Sequence, residues 1–285
     1  MQISYSHHGN RLIFRRRADG IQLLGLFGKA LVPHKDLEGG SILQVQLVPA
    51  ESSCHSGAGR ISSLPAERME LISIVEDERC HGDLVVIILK DPLTGILAEV
   101  NYFLSLRTPT IRTWVRVRND GPASVELHQV RSAILHNLAA GGYRPWHEKT
   151  CLYLCYDRGS GGGRWRRFGR RQPIRGSSWS TPDALPMGIL EDMETETAWY
   201  WQIEHSHIWD WAIGEGQNSH LSLWASDHTP HQDGWRVELQ PGSAFKTVSV
   251  VFGLVPGGSK QAWKALSVYW RQISRTSHHL MAGYG

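Results

Sequence analysis

Apolar residues along this chain recur mostly with period two, and clusters of glycine, proline and polar residues interrupt them at regular intervals. Residues 21–28 and 41–48 read as strands separated by Pro33 and Gly39-Gly40, and residues 69–75 as a short strand. Residues 83–90 form another, closed by the turn sequence Asp91-Pro-Leu-Thr-Gly95, with 96–106 as its hairpin partner. Thr113-Trp-Val-Arg-Val-Arg118 alternates cleanly, but Trp114 joins the face of Val115 and Val117 only through an offset, so a bulge is predicted there. After the tight turn Asn119-Asp-Gly121, one long strand is predicted over 124–138. Strands and turns continue to Leu254 without a helical pattern, which predicts an all-β sandwich rather than an α/β fold.

Only the end differs. Ser259 stands at an N-cap position after Gly257-Gly258, and Trp263, Leu266 and Trp270 recur at helical spacing. One amphipathic helix over 259–271 is predicted, giving a body of residues 1–258 followed by a linker helix and tail, 259–285.

The most distinctive stretch is Trp199-Tyr-Trp-Gln-Ile-Glu-His-Ser-His-Ile-Trp-Asp-Trp-Ala-Ile-Gly214, with four tryptophans in thirteen residues. Trp199, Trp201 and Ile203 share one strand face, and Trp209, Trp211 and Ile213 repeat the pattern. The polar Glu204-His-Ser-His207 between them reads as a turn, so the stretch is predicted to be a hairpin. Its aromatic face either packs in the core against a second sheet or serves as a platform for sugar rings.

Composition excludes more than it reveals. Thirty basic against 27 acidic residues give a net charge of +3, too small to imply a polyanionic partner for the whole surface. The N-terminal sequence is polar and no apolar run reaches membrane length, so neither a signal peptide nor a membrane partner is expected. Cys54, Cys80, Cys151 and Cys155 lack metal-ligand spacing and fit free thiols in a reducing cytoplasm.

Candidate chemistry is thin. Gly159-Ser-Gly-Gly-Gly163 lacks the Lys-Ser/Thr pair of a phosphate loop. The Arg-rich run 164–175 interleaves aromatics as single-strand nucleic-acid surfaces do, but it is local in a nearly neutral chain, so no nucleic-acid partner is expected. The acids of Glu191-Asp-Met-Glu-Thr-Glu196 have nothing to fix them across a sugar. Fifteen histidines include no His-Glu-x-x-His, and Ser177-Ser-Trp-Ser180 has no nucleophile-elbow frame. No catalytic residue, metal or cofactor is therefore predicted.

Several stretches nonetheless resemble, in order, the N-terminal domain of family 36 glycoside hydrolases, the bacterial-type α-galactosidases. Residues 113–127 are similar to the family's "R-S-x-x-x-x-N-x-G-x-x-x-V-x-L", and Arg175-Gly-Ser-Ser178 to its Arg-Gly-Ser-Ser segment. Trp201-Gln-Ile-Glu-His-Ser206 and Trp209-Asp-Trp-Ala-Ile-Gly214 resemble "W-Q-I-E-H-S-G-S-W-x-W-E-I-G", the most specific match. Leu239-Gln-Pro-Gly-Ser-Ala-Phe245 is similar to "L-x-P-G-E-S-F". Two departures stand out. Ser56-Gly-Ala-Gly-Arg-Ile61 lacks the aspartate of the family's Gly-Asp-Phe-Arg, and Trp179-Ser-Thr-Pro-Asp183 replaces a His-Gln-His-Asn-Pro run.

The resemblance implies a two-sheet antiparallel β-supersandwich of the galactose-mutarotase type with one C-terminal helix. It also implies retaining hydrolysis of terminal α-galactosides by two aspartates of a following (β/α)₈ barrel. The sequence stops where that barrel would begin, so the chain alone is expected to be inactive, to need a barrel in cis or in trans, and to self-associate as a homo-oligomer. Arg175, Ser178 and Trp179 are the predicted carbohydrate contacts: a cation, a hydroxyl and a stacking ring on one loop. Trp201, Glu204, His205, Trp209 and Trp211 are assigned a structural role, with Glu204 and His205 satisfying the turn. The alternatives are a stand-alone carbohydrate-binding module and a mutarotase-like epimerase. The epimerase requires one histidine and one carboxylate within reach of a single sugar.

Overall fold

The computed structural model describes residues 2–7, 10–17, 20–26, 40–48, 64–156, 164–168, 174–177, 184–205, 209–215, 221–226 and 235–281. Strands β1 (Gln2–His7), β2 (Asn10–Arg17), β3 (Gly20–Leu26) and β4 (Gly40–Ser41) form a four-stranded sheet in that order. Then come β5 (Val45–Val48), a short helix α1 (Leu64–Arg68), and a meander of β6 (Glu70–Arg79), β7 (Gly82–Lys90), β8 (Ile96–Ser105) and β9 (Ile111–Asn119). The middle of the chain holds β10 (Val125–Val130), β11 (Ala133–Leu135), the single-turn α2 (Trp146–Lys149), β12 (Thr150–Tyr156), β13 (Arg164–Phe168) and β14 (Ile174–Ser177). The last third holds β15 (Ala184–Asp192), β16 (Thr197–Ile203), β17 (Asp210–Glu215), β18 (Leu221–Ser226), β19 (Val237–Leu239), β20 (Ala244–Lys246), β21 (Val250–Pro256) and helix α3 (Ser259–Met281).

A ten-stranded antiparallel sheet is the backbone of the fold, in the order β13-β12-β15-β16-β21-β9-β8-β7-β6, with β20 also paired to β9. Facing it are a four-stranded sheet, β11-β18-β17-β14, and a three-stranded one, β19-β10-β5. Period two explains the layering. Along β9, Ile111, Thr113, Val115 and Val117 point into the main core, while Arg112, Trp114, Arg116 and Arg118 point out. The all-β sandwich with a C-terminal helix is thus the observed architecture.

The aromatic stretch corrects one expectation. It is not a hairpin: β16 lies inside the ten-stranded sheet between β15 and β21, and β17 lies in the facing sheet between β14 and β18. Both edges of both strands are already filled, so residues 204–209 carry the chain from one sheet to the other. Trp201 and Trp211 then meet across the core, ring centroids 5.3 Å apart at 66°. Such bulk needs room beside it. A Cβ on Gly188, opposite Trp201, would lie 2.3 Å from that ring, and one on Gly253, opposite Tyr200, would lie 2.2 Å from the phenol.

Three further expectations differ. The predicted long strand over 124–138 breaks at Arg131-Ser132, because β10 and β11 belong to different sheets. No bulge accommodates Trp114. β9 pairs regularly with β8, and the ring lies half-buried on the outer face, where Arg112 and Lys246 stand 5.7 and 5.1 Å from its centroid. Two short helices, α1 and α2, also interrupt the strands.

Helix α3 lies on the outer face of the large sheet against β15, β16 and β21. Ala262 and Leu266 close a second, smaller core with Cys155, Met187, Ile189, Ala198, Tyr200 and Val255. Strand β16 therefore supplies both cores, Trp199, Trp201 and Ile203 to one and Ala198 and Tyr200 to the other.

Candidate functional site

The segment carrying Arg175 is strand β14, which runs antiparallel to β17. Arg175 pairs with Ala212 and Ser177 with Asp210. The chain therefore leaves β14 toward Ser178 beside the start of β17, at the end of the sandwich where residues 204–209 cross between sheets. Arg175 is placed by its backbone; Ser178 and Trp179 lie outside the described residues. The same holds for the glycine-rich run 159–163 and for residues 56–61.

The family-motif residues at this end are well defined. Trp201, Trp209 and Trp211 are buried, so they are core residues and not a platform for sugar rings. His205 is half-buried. Glu204 has a role other than the predicted satisfaction of a turn. Its carboxylate accepts hydrogen bonds from Arg112 Nε at 2.6 Å and from the Tyr269 hydroxyl at 2.7 Å, joining β9, the crossover and α3. Two residues earlier, Gln202 accepts from the indole N–H of Trp270. Burial pushes the Tyr269 phenol well above its ordinary range, and the adjacent Glu204 charge adds to the effect. The Trp-Gln-Ile-Glu motif is therefore a clamp that seats the helix.

The far side of β17 carries a buried polar cluster. Arg131 donates to Ser226 Oγ at 3.2 Å, its Nη1 is 3.5 Å from Asp210 Oδ2, and its guanidinium carbon lies 3.4 Å from the Trp224 ring centroid. A second buried cation, Lys149, is 2.9 Å from Asp192 Oδ2. Both cations are buried and paired with acids in the interior.

Proton-transfer chemistry has better access on the three-stranded sheet. Glu126 and His128 alternate outward along β10, with His128 Nε2 2.8 Å from Glu126 Oε1 and Arg236 Nη1 3.5 Å from the same oxygen. Both side chains reach solvent. The Glu-x-His spacing on one strand was the available sequence signal, and the pair was not singled out. His136, by contrast, is half-buried between Ser222 Oγ at 3.2 Å and the Ser41 carbonyl at 3.0 Å. Burial holds its imidazole below the usual range, against the pull of the Ser41 carbonyl.

Among the described residues, no group of three or more His, Cys, Asp or Glu side chains is placed to hold a metal ion. No described helix is long and apolar enough to cross a membrane.

No protein-family model matches the sequence, and no curated protein does. Solved structures do. The α-galactosidase of Lactobacillus brevis superposes with a TM-score of 0.71 at 13% identity, over 95% of this chain and 42% of its own. The GH36 α-galactosidase AgaA of Geobacillus stearothermophilus gives 0.67 at 13% identity, over 90% and 41%. A galactose mutarotase-like protein of Clostridium acetobutylicum gives 0.54 at 11% identity, over 90% and 95%. The chain thus has the fold of one portion of the GH36 enzymes and spans about two fifths of their length.

Proposed function

We propose that this chain is the non-catalytic N-terminal β-supersandwich module of an α-galactosidase-like glycoside hydrolase, supporting the substrate site and the assembly of a catalytic (β/α)₈ barrel. The observation that carries this reading is the superposition of nearly the whole chain on two fifths of each α-galactosidase. The Glu204 clamp supports it, because it fixes the direction of α3, the element that in this reading links the body, 1–258, to the barrel in cis or in trans. The segment of Arg175, Ser178 and Trp179, which begins in β14, is the one assigned to an α-galactoside. Its root on β14 beside the sheet crossover gives it a rigid base. Cys80, Cys151 and Cys155 are in no disulfide, which fits a cytoplasmic home, and a homo-oligomer belongs to the same reading.

The test is hydrolysis of a chromogenic α-galactoside, with galactose and raffinose binding followed by calorimetry. The chain alone is expected to show no turnover, and fusion to an α-galactosidase barrel to restore it. Turnover by the clean chain alone overturns the proposal.

A second reading is favoured by two observations. The mutarotase-like neighbour matches over nearly its full length, and His128 and Glu126 form an accessible acid–base pair. If this chain epimerises a sugar at its anomeric carbon, polarimetry with fresh α-galactose detects it, and His128→Ala abolishes it. An unchanged rate in that variant rules out this site.

A further inference from the structure

Helix α3 carries charge in a way that its own stability does not explain. Its 23 residues contain four lysines and arginines and no acid, more positive charge than the net +3 of the whole chain. At about 100° per residue, Lys260, Lys264 and Arg271 fall within about 40° of arc and form a stripe about 16 Å long. All three are exposed, and none makes an ion pair among the described residues. The stripe faces away from the body, because Ala262 and Leu266 on the opposite side close the small core. Lys260 stands in the first turn, at the positive end of the helix dipole, where an acid is favourable and none is present. Lys260 and Lys264 are also a like-charged pair one turn apart, which weakens a helix.

Aromatic rings border the stripe on one side. Trp263, 38% exposed, meets Trp165 of β13 and Trp270 at centroid distances of 5.4 and 5.2 Å. It lies about 60° round the helix from Lys260. Two residues along β13 from Trp165, Arg167 is exposed, and its Nη2 is 4.0 Å from Sδ of the exposed Met193. Cations therefore flank the ring cluster on both sides. Two of the acids beside α3 are already engaged. Glu191 accepts from the Tyr153 hydroxyl and the Ser259 N–H, and Glu204 from Arg112 and Tyr269. Glu196 is exposed at the turn that leads into α3, and on the turn before β12 exposed Arg144 and Glu148 offset each other.

We infer that the outward face of α3 lies flat on an anionic lipid bilayer, its cations over acidic headgroups and Trp263 in the headgroup layer. Tryptophan beside lysine and arginine is the combination that the boundary of a bilayer favours, the ring at headgroup depth and the cations at the charged surface. A ring cluster with cations on both sides has breadth, which a plane fills and a single anionic strand or an acidic helix does not. The apolar face of α3 stays on the protein, so the contact is peripheral, in keeping with a helix not apolar enough to cross. Such binding needs neither a barrel nor a sugar, and it stands or falls apart from the readings above.

The experiment is sedimentation of the full chain with vesicles of two parts phosphatidylcholine to one part phosphatidylglycerol, and with vesicles of phosphatidylcholine alone. Wild type is expected to sediment with the mixed vesicles at low ionic strength and to ignore the neutral ones. It should be released at ~1 M salt, where the screening length falls to ~3 Å. Each cation at such a surface contributes about fivefold in partitioning, so Lys264→Gln should weaken binding about fivefold, and Lys264→Gln with Arg271→Gln about 25-fold. Glutamine is a good helix former, and near-ultraviolet dichroism checks the fold. Arg79→Gln, on β6 at the far edge of the sheet, should bind as wild type does. Brominated phosphatidylcholine in the mixed vesicles should quench tryptophan emission in wild type and less in Trp263→Phe, which keeps a ring in the cluster. A wild type that stays in solution with the mixed vesicles overturns the inference, as does equal sedimentation with both kinds. So does a double glutamine variant that binds like wild type, an Arg79→Gln that loses as much, or quenching that Trp263→Phe leaves unchanged. Capture by heparin or poly-L-glutamate without sedimentation on vesicles assigns the stripe to a soluble polyanion or an acidic protein, and overturns it too.

Discussion

Removing the Glu204 carboxylate tests whether the family-like motif seats α3. Two bonds are lost in Glu204→Ala. Hydrogen bonds to charged groups contribute ~1.5–3 kcal/mol. The Tyr269 bond belongs in that range, because its hydroxyl is buried and left without the carboxylate. Arg112 is 44% exposed and rehydrates, so its share is that of an exposed pair, ~0.2–1 kcal/mol. Glu204→Ala is thus expected to destabilise the protein by ~2–4 kcal/mol, and Tyr269→Phe by ~1.5–3 kcal/mol, in urea unfolding followed by tryptophan fluorescence. The double variant should cost little more than Glu204→Ala, leaving a coupling of ~1.5–3 kcal/mol. Amide exchange over 259–272 should rise about tenfold in either variant while β16 stays protected. Additive losses, with a coupling below about 0.5 kcal/mol, or unchanged exchange in α3, would refute the clamp.

Two pH dependences follow from other sites. Asp91 is fully buried and accepts from Arg68 Nε at 2.7 Å, Thr94 Oγ1 at 2.6 Å and Leu93 N at 3.1 Å. Burial works to raise its pKa, but these bonds together outweigh burial and hold the carboxyl below its ordinary range. Its stabilisation is therefore complete above the unfolded value of ~3.9 and is lost as pH falls through the folded one. Asp91→Asn should cost ~2–4 kcal/mol at neutral pH, with the gap in thermal midpoint narrowing below about pH 4. A gap constant with pH would refute this. At the alkaline end, burial pushes Tyr102, Tyr200 and Tyr269 far up, and Tyr153 up to about 12. These raised values stabilise the fold below the unfolded pKa of ~10 and cease to do so as pH rises past it. Phenolate absorbance should show only part of the eight tyrosines titrating before a cooperative unfolding step. A smooth titration of all eight in a folded protein would contradict it.

Most strands were legible in the sequence because period-two burial leaves a plain record, as in the alternation from Ile111 to Asn119. Which strand joins which sheet was not. Trp199–Ile203 and Trp209–Ile213 look like hairpin arms because strands facing each other across a core bury the same alternate positions as strands lying side by side. The split of 124–138 was hidden for the same reason. Trp114 misled through its apolar character, since the cations that flank it, Arg112 and Lys246, come from β9 itself and from β20, far along the chain. At the candidate site, the motif around Glu204 marked an important residue but not its partner, because Tyr269 is 65 positions away. The pair Glu126 and His128 lies two positions apart and was overlooked, since acids and histidines at that spacing on strands are ordinary solvent-facing neighbours.

Strand β21 sets the order in which this protein is assembled. It pairs along its full length with β16 and, through Val250–Phe252, with β9. The large sheet is therefore two separate pieces, β6-β7-β8-β9 and β13-β12-β15-β16, until residues 250–256 insert between them. During synthesis both halves leave the ribosome with an unpaired central edge, which β21, together with β20 on β9, closes late. Pairings this distant in sequence close slowly, so the nascent chain spends its most vulnerable interval with β9 and β16 open to the wrong partner.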